Sequence, residues 1–429
     1  MANTIGHQRP MQICPETTVL LAKRLHIEEL NRLHDVTQVV EAVGKLIHEL
    51  QAERGASTIY LASDGMQFAD TRQYLVAASQ AVEQAFREAV GSQVESPSFG
   101  KARFLYLMVW VLMGLDELPA LRTRVARRGL APQECVVAYS RLIASLMSLI
   151  FEVADSAVDP RTSYLLVAFF NLVQGKEFAG QERAIGGLSF SSGKSDAANR
   201  SRLPYLIDAQ ERHFQIFEQF ADAESLAQWR TIMHAPCVGQ MERMRRMLSG
   251  AGGRTAGNLG GRWFEVCSER LSAIWALQCA VVQRLKAQCA ALVADAQSEL
   301  LDSEGLLDEL RTNPPAKAAL AGRIFDSSIP VENVLRFQFQ AGGETLQGQS
   351  VIDVLDAQSR RLISMEIELS AARRALDDRK TIERAKGILM ARFNLTEHEA
   401  YKRMRTASME QNKRLVDVAE AILTLASLS

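Results

Sequence analysis

Six cysteines are spread over 429 residues, and none forms a C-x-x-C pair. Of Cys14, Cys135, Cys237, Cys267, Cys279 and Cys289, only Cys237 has a near histidine, His234. They read as small core hydrophobes in a reducing cytosol, with metal ligation a remote second reading. The seven histidines (His7, His26, His34, His48, His213, His234 and His398) lack metal-ligand spacing, so no metal or cofactor is expected. Missing too are G-x-x-x-x-G-K-[ST], a G-x-G-x-x-G after a strand, H-E-x-x-H and G-x-S-x-G, and nothing else points to an enzyme. No cationic-then-apolar leader opens the chain. The longest apolar run, Phe104 to Leu115, has twelve residues, too few to cross a bilayer. The expectation is a cytoplasmic protein with no membrane partner. A net charge of −1 excludes a uniformly basic nucleic-acid coat, so any such site must be local.

Helical periodicity is what the chain has in abundance, and no strand-type alternation stands out before residue 320. After an irregular start, helix signals run from Pro15 to about Ser63, with Val36, Val39, Val40, Val43, Ile47 and Leu50 at three- and four-residue steps. Further helices are expected over 69–90, 103–125, 132–154, 161–182, 204–220, 224–234, 241–248 and 263–301. Between them, the Gly/Ser-rich stretches 186–201 and 249–261 read as loops. The expected fold is all-α, with one or two four-helix bundles in tandem. Boundaries fall at a lead-in over 1–34, a bundle domain over 35–302, a linker over 303–350 marked by Asn313-Pro314-Pro315 and Ala341-Gly342-Gly343, and a second domain over 351–429.

That second domain opens with Leu355, Leu362, Leu369 and Leu376 at seven-residue spacing, a seam for a helical partner. The seam predicts a homodimer, although the same leucines could pack against Leu415, Val418, Ile422 and Leu425 of their own chain. Thr396 and Glu399 form a T-x-x-E capping box that starts a new helix, with Ala400, Tyr401, Met404 and Ala407 on its apolar face. Between Arg379 and Arg405 eight Lys/Arg face three Glu, in a chain close to neutral. The plain reading is a solvated helix face, and the sharper one is a site for a polyanion. Lys402 and Arg403 flank Tyr401, which would suit phosphate contacts and base stacking. Tyr401 would equally suit core packing with Met404. A short turn at Phe393–Leu395 between two helices also permits a helix-turn-helix on DNA.

In the bundle domain, Arg54 falls within a helix beside the small residues Gly55, Ala56 and Ser57. From composition alone it reads as an ordinary solvated arginine, as do Arg183 and Arg270. A resemblance shifts that balance. LIHELQAERGASTIYLAS, RTSYLLVAFFNLVQGKEFAGQERAIG and RWFEVCSERLSAI resemble, in that order, the nitrate- and nitrite-sensing (NIT) domain. The segment ERAKGILMARFNLTEHEAYKRMRTAS followed by LVDVAEAIL resembles the ANTAR domain, an RNA-binding antitermination module, with a coiled-coil and three-helix layout. The order is similar to that of nitrate-responsive antiterminators of nitrate-assimilation operons.

The resemblance implies nitrate or nitrite as effector, held by Arg54, Arg183 and Arg270, with Arg243 competing for the later-helix role. A guanidinium fork suits a planar trigonal anion and keeps its charge when buried. It also implies a leader-mRNA hairpin as partner, contacted by Arg379, Lys380, Arg384, Lys386, Gly387, Tyr401, Lys402 and Arg405, with RNA polymerase reached only indirectly. The alternative is a helical anion sensor that acts through protein partners, its C-terminal domain serving for dimerisation.

Overall fold

A computed structural model describes residues 15–94, 102–156, 159–192, 197–249, 259–312, 374, 376–411 and 413–427. Nine helices precede the C-terminal domain among these residues. They are α1 (Pro15–Ala62), α2 (Ala69–Val94), α3 (Ala102–Ala126), α4 (Pro132–Ser156), α5 (Pro160–Ser192), α6 (Ala197–Phe220), α7 (Ala223–Met233), α8 (Pro236–Ser249) and α9 (Gly260–Thr312). Three more follow: α10 (376–393), α11 (Glu397–Gln411) and α12 (Leu415–Ser427). The leucine seam at 355, 362 and 369, Cys14, and the linker beyond residue 312 lie outside the described residues. Leu376, the last of the seam, is buried.

The chain divides into two compact units, 1–34 with 287–368, and 35–286 with 369–429. Within the first, the start of α1 meets the end of α9 through Lys23–Glu299 at 3.4 Å and Arg24–Glu304 at 3.0 Å. The second unit holds α2 to α8, most of α1, the first half of α9 and the three C-terminal helices.

A buried carboxylate marks the centre of each bundle in that unit. In the first bundle Glu53 of α1 accepts from Arg122 Nε of α3 at 2.8 Å, from Arg122 Nη2 at 2.9 Å and from Tyr139 of α4 at 2.6 Å. Arg122 Nη2 also donates to Ser79 of α2, so four helices meet on one ion pair. Phe104, Met108, Val111, Leu115, Leu118 and Val125 line the inner side of α3. In the second bundle Glu182 of α5 plays the same part, taking two bonds of 2.6 Å from Arg245 of α8 and one of 2.6 Å from Gln210 of α6. Phe190, Leu203, Met241, Met244, Leu248, Trp263 and Val266 pack beside it. The expectation of bundles in tandem is met, with α5 as a wall of both.

That double duty explains α5. Of residues 160–191 only Arg161 is exposed, so the helix has no solvent stripe. Asp159 caps it, its Oδ1 accepting from the Thr162 N–H at 2.9 Å. The expected loop over 186–201 is corrected: α5 runs on to Ser192 and α6 starts at Ala197, with Pro204 inside it. Gly186 is there for close packing, since a Cβ would meet the Trp263 ring at 2.4 Å. Residues 303–312, placed in a linker from the sequence, are the end of α9.

By length and composition two helices, Ala102–Ala126 and Pro132–Ala154, are apolar enough to cross a membrane. The twelve-residue run understated this, because it ignored isolated polar residues. Both are walls of the first bundle, and α3 carries the buried Arg122 near its end.

Candidate functional site

Between the two bundles, α1, α4, α5 and α9 converge on three buried cations. Arg54 of α1 is fully buried. Its Nη1 donates to Glu177 Oε1 and, at 2.8 Å, to Ser140 Oγ, while Nη2 donates to Glu177 Oε2 at 3.1 Å. Its Nε has no hydrogen-bond partner among the described residues. Gly180 makes room for this guanidinium, because a Cβ there would meet Arg54 Nη2 at 2.7 Å. Arg183, seven residues along α5 from Lys176, donates to the Gln51 carbonyl at 2.9 Å and to Ser268 Oγ at 2.8 Å, and lies over the Phe264 ring. Its Nε also lacks a partner. Burial, with the Arg54 charge adding to it, lowers its pKa to about 10.

Lys176, buried, completes the cluster. Its Nζ donates to Gln51 Oε1 at 2.8 Å, sits 2.9 Å from His48 Nδ1 and lies over the Trp275 ring. Burial, then the charge of Arg183, lowers its pKa to about 7. His48 is stacked on Trp275 with centroids 4.3 Å apart. Burial and the charges of Lys176 and Arg183 push its pKa down to about 2, so it stays neutral and accepts from Lys176. Glu177 is the carboxylate at the centre, taking bonds from Arg54, Gln51 and Gln181. Arg54 and Arg183, with a Lys176 that is only partly protonated near neutral pH, outweigh the buried carboxylate of Glu177, while the half-buried Glu49 also acts on Lys176.

Arg270 lies apart, in the second bundle. It is buried, donates to Gln210 Oε1 at 3.0 Å and to Met241 Sδ, and keeps an unpartnered Nε among the described residues. Burial, with the Arg245 charge, lowers its pKa. Arg243 is exposed and belongs to neither cluster. Arg245 takes the inward position, where its ion pairs with Glu182 and Glu242 raise its pKa against the cost of burial. Cys237, Met241, Met244 and Leu248 are the buried apolar residues of α8, and Arg245 falls four after Met241 on their face. That spacing was the available signal for Arg245; Lys176, Gly180 and Arg183 share a face of α5 by the same rule.

The C-terminal helices share a small core of Ala385, Leu389, Ala400, Met404 and Ala419. The capping box forms as expected, with Glu399 accepting from the Thr396 N–H at 2.8 Å and Thr396 Oγ1 from the Glu399 N–H. The basic residues then divide. Lys386 is buried, paired with Glu383 and Glu397 at 2.8 Å each. Arg384, Gly387, Lys402 and Arg403 are exposed, Arg403 lying over Phe393. Arg379, Lys380, Tyr401 and Arg405 face the bundle domain instead. Arg379 Nη1 donates to His213 Nε2 at 3.0 Å and lies over Phe170, while Lys380 lies over Phe151. Burial, then Arg379, Arg212 and Lys386, holds His213 neutral, its Nδ1 on Asn171. Arg405 pairs with Asp208.

Tyr401 is buried, yet it is neither free for stacking nor part of the three-helix core. It packs against Tyr205 at 5.5 Å and beneath Arg212 at 4.2 Å, both on α6. A cavity of about 1100 Å³ lies along this seam, with Arg103, Ser140, Glu177 and Gln181 on the bundle side and Arg379, Lys380 and Glu383 on the other.

Paired helical bundles with a buried cationic cluster between them, followed by a three-helix domain docked through its basic residues, define the class: an all-helical protein with a large bundle part and a small C-terminal part. The chain belongs to the NIT family, nitrate and nitrite sensing, whose pattern matches residues 45–286, and it carries an ANTAR domain over residues 370–423. It is 29% identical to the nitrate regulatory protein of Klebsiella oxytoca over 95% of this chain and 94% of that one. Over 72 residues, 17% of this chain and 35% of that one, it is 32% identical to the transcriptional regulatory protein PdtaR of Mycobacterium tuberculosis. The solved structure of the NasR transcription antiterminator matches 97% of this chain and all of that one, with a TM-score of 0.61 and 25% identity.

Proposed function

We propose that this chain is a cytoplasmic, nitrate- or nitrite-responsive positive regulator that binds a leader-RNA hairpin and prevents transcription termination of a nitrate-assimilation operon. The cluster of Arg54, Arg183 and Lys176 carries the sensing half. Buried cations are costly unless an anion partners them, and the names of the relatives point to which external anion can take that place. Arg54 holds it, Arg183 lies beside it, and Arg270 acts from the second bundle by keeping Gln210 and Glu182 in place.

The docked ANTAR domain supports the coupling. Arg379, Lys380, Tyr401 and Arg405 are engaged by the sensor, leaving Arg384, Gly387 and Lys402 of the expected RNA contacts open. The effector therefore has to favour an undocked arrangement over this one, since a ligand shifts an equilibrium only by its differential affinity. Labelled leader RNA titrated at rising nitrate tests the whole reading. Salt-sensitive binding that strengthens with nitrate is expected; RNA binding absent at every nitrate concentration sinks it in favour of a protein partner.

The active protein is a homodimer in this reading. Besides the leucine seam, α3 offers a self-complementary face, with Tyr106, Val109, Trp110 and Met113 all exposed. A two-fold axis crossing α3 between Val109 and Trp110 sets Val109 against Trp110, Tyr106 against Met113 and Arg103 against Asp116 of the second copy. Arg103 and Asp116 are 61% and 68% exposed despite their partners within the chain.

A further inference from the structure

Four glutamates are buried, Glu53, Glu152, Glu177 and Glu182; Glu152, paired with Arg103, and Glu177 both line the seam cavity, but of these two only Glu177 sits in the Arg54 fork. Glu53 and Glu182 are enclosed by their bundles and hold them shut. Glu177 is buried, held by Arg54, Gln51 and Gln181, and borders the seam cavity.

We propose that Glu177 is a tethered internal ligand of the sensor: its carboxylate fills the Arg54 fork where the effector binds, and the effector enters by exchanging it out into the seam cavity. This rests on the assignment of the effector to Arg54. A carboxylate presents two coplanar oxygens to a guanidinium, and nitrate and nitrite present the same pair. Arg54 already gives both of its Nη groups to Glu177, and Ser140 shares Nη1. An incoming planar anion inherits Arg54 and Ser140 without a new pocket being built. Gly180, opposite Arg54 Nη2, keeps the fork free of side-chain atoms.

The released carboxylate has somewhere to go. Across the cavity stand Arg379 and Lys380 of the ANTAR domain, with Arg141 and Arg202 on the near walls. Glu177 therefore leaves Arg54 for a polar space lined by these cations, Arg103 and Arg384 as well as by Glu152, Glu383, Glu397 and Glu399, rather than being stranded in an apolar core. No bond is made or broken; the net event is the exchange of one anion for another on Arg54. The arrangement also filters ligands. An anion must outcompete a tethered carboxylate, which favours planar oxyanions able to bridge both Nη groups over spherical halides such as chloride.

Calorimetric titration of nitrate into the full chain tests this, with melting temperature as the check on folding. Glu177→Gln keeps the shape and removes the competing charge, so its Kd for nitrate should fall about tenfold or more, as expected when a buried ion pair no longer has to be broken. Gln181→Met, which loosens Glu177 without touching Arg54, should tighten binding in the same direction and covers the case in which Glu177→Gln does not fold. Arg54→Ala should abolish binding. Equal or weaker nitrate binding by the folded Glu177 and Gln181 variants, beside a wild type that binds through Arg54, overturns the internal-ligand role and leaves the sensing assignment standing. Absence of nitrate binding in every protein, wild type included, overturns both.

Discussion

Glu53 accepts bonds from Arg122 and Tyr139 in a place that water does not reach, and Arg122→Met would strand that carboxylate. The expected loss is about 3–5 kcal/mol, read as a lower denaturant midpoint at unchanged slope. Lys176 predicts a pH effect. Its folded pKa of about 7 lies below the ordinary 10.5, so between those values the unfolded chain binds more protons. Stability should therefore rise with pH across that window, and Lys176→Met should remove the slope. Anion affinity runs the other way, falling as pH rises through about 7, because the protonated lysine is the form that attracts the ligand. The groups around it are Arg183, Glu177, Glu49, Cys279 and the neutral His48, and nitrate titrations at pH 6 and 8 should separate wild type from Lys176→Met. Arg54, Arg183 and Arg270 were all legible as candidates, because small neighbours and family resemblance marked them. Glu177 was not, since a lone glutamate in a helix reads as a solvated charge until its partners on three other side chains are known. Arg243 and Arg245 show the same limit from the other side: two residues apart, they differ by about 200° around a helix, and only the phase set by Met241 and Leu248 says which one is inside.

At the scale of elements, periodicity gave nearly every helix, and the Thr396–Glu399 box placed the start of α11. Glycine and serine misled over 186–192, because the same residues that suit a loop also let a tryptophan approach a helix. Gly186→Ala forces the Trp263 ring off its seat and should cost about 1–3 kcal/mol, the usual penalty of overpacking. Thermal unfolding would show it, and an unchanged melting temperature would mean that the ring yields freely. Trp263 also donates to the Arg183 carbonyl at 2.9 Å, so the same variant should disturb the cationic cluster.

For the whole molecule, docking of the ANTAR domain depends on charges that lie in separate parts of the chain, which no local pattern reveals. Asp208→Lys turns the Arg405 contact repulsive while leaving every expected RNA contact intact. Nitrate-independent RNA binding should rise several-fold, roughly what about 1 kcal/mol of lost docking provides; no change would show that this contact does not hold the domain. Trp110→Asp places a charge at the centre of the α3 face, and light scattering should show a shift from dimer to monomer if that face is the interface. A dimer indifferent to it would return the task to the leucine seam. The enclosure of α5 has one more consequence. A helix walled by both bundles belongs, in hydrogen-exchange terms, to the last part of a protein to open. An effector bound at Arg54, as proposed above, would then have to act through a helix that shifts without melting, so the expected readout is a displacement with α5 amide protection unchanged.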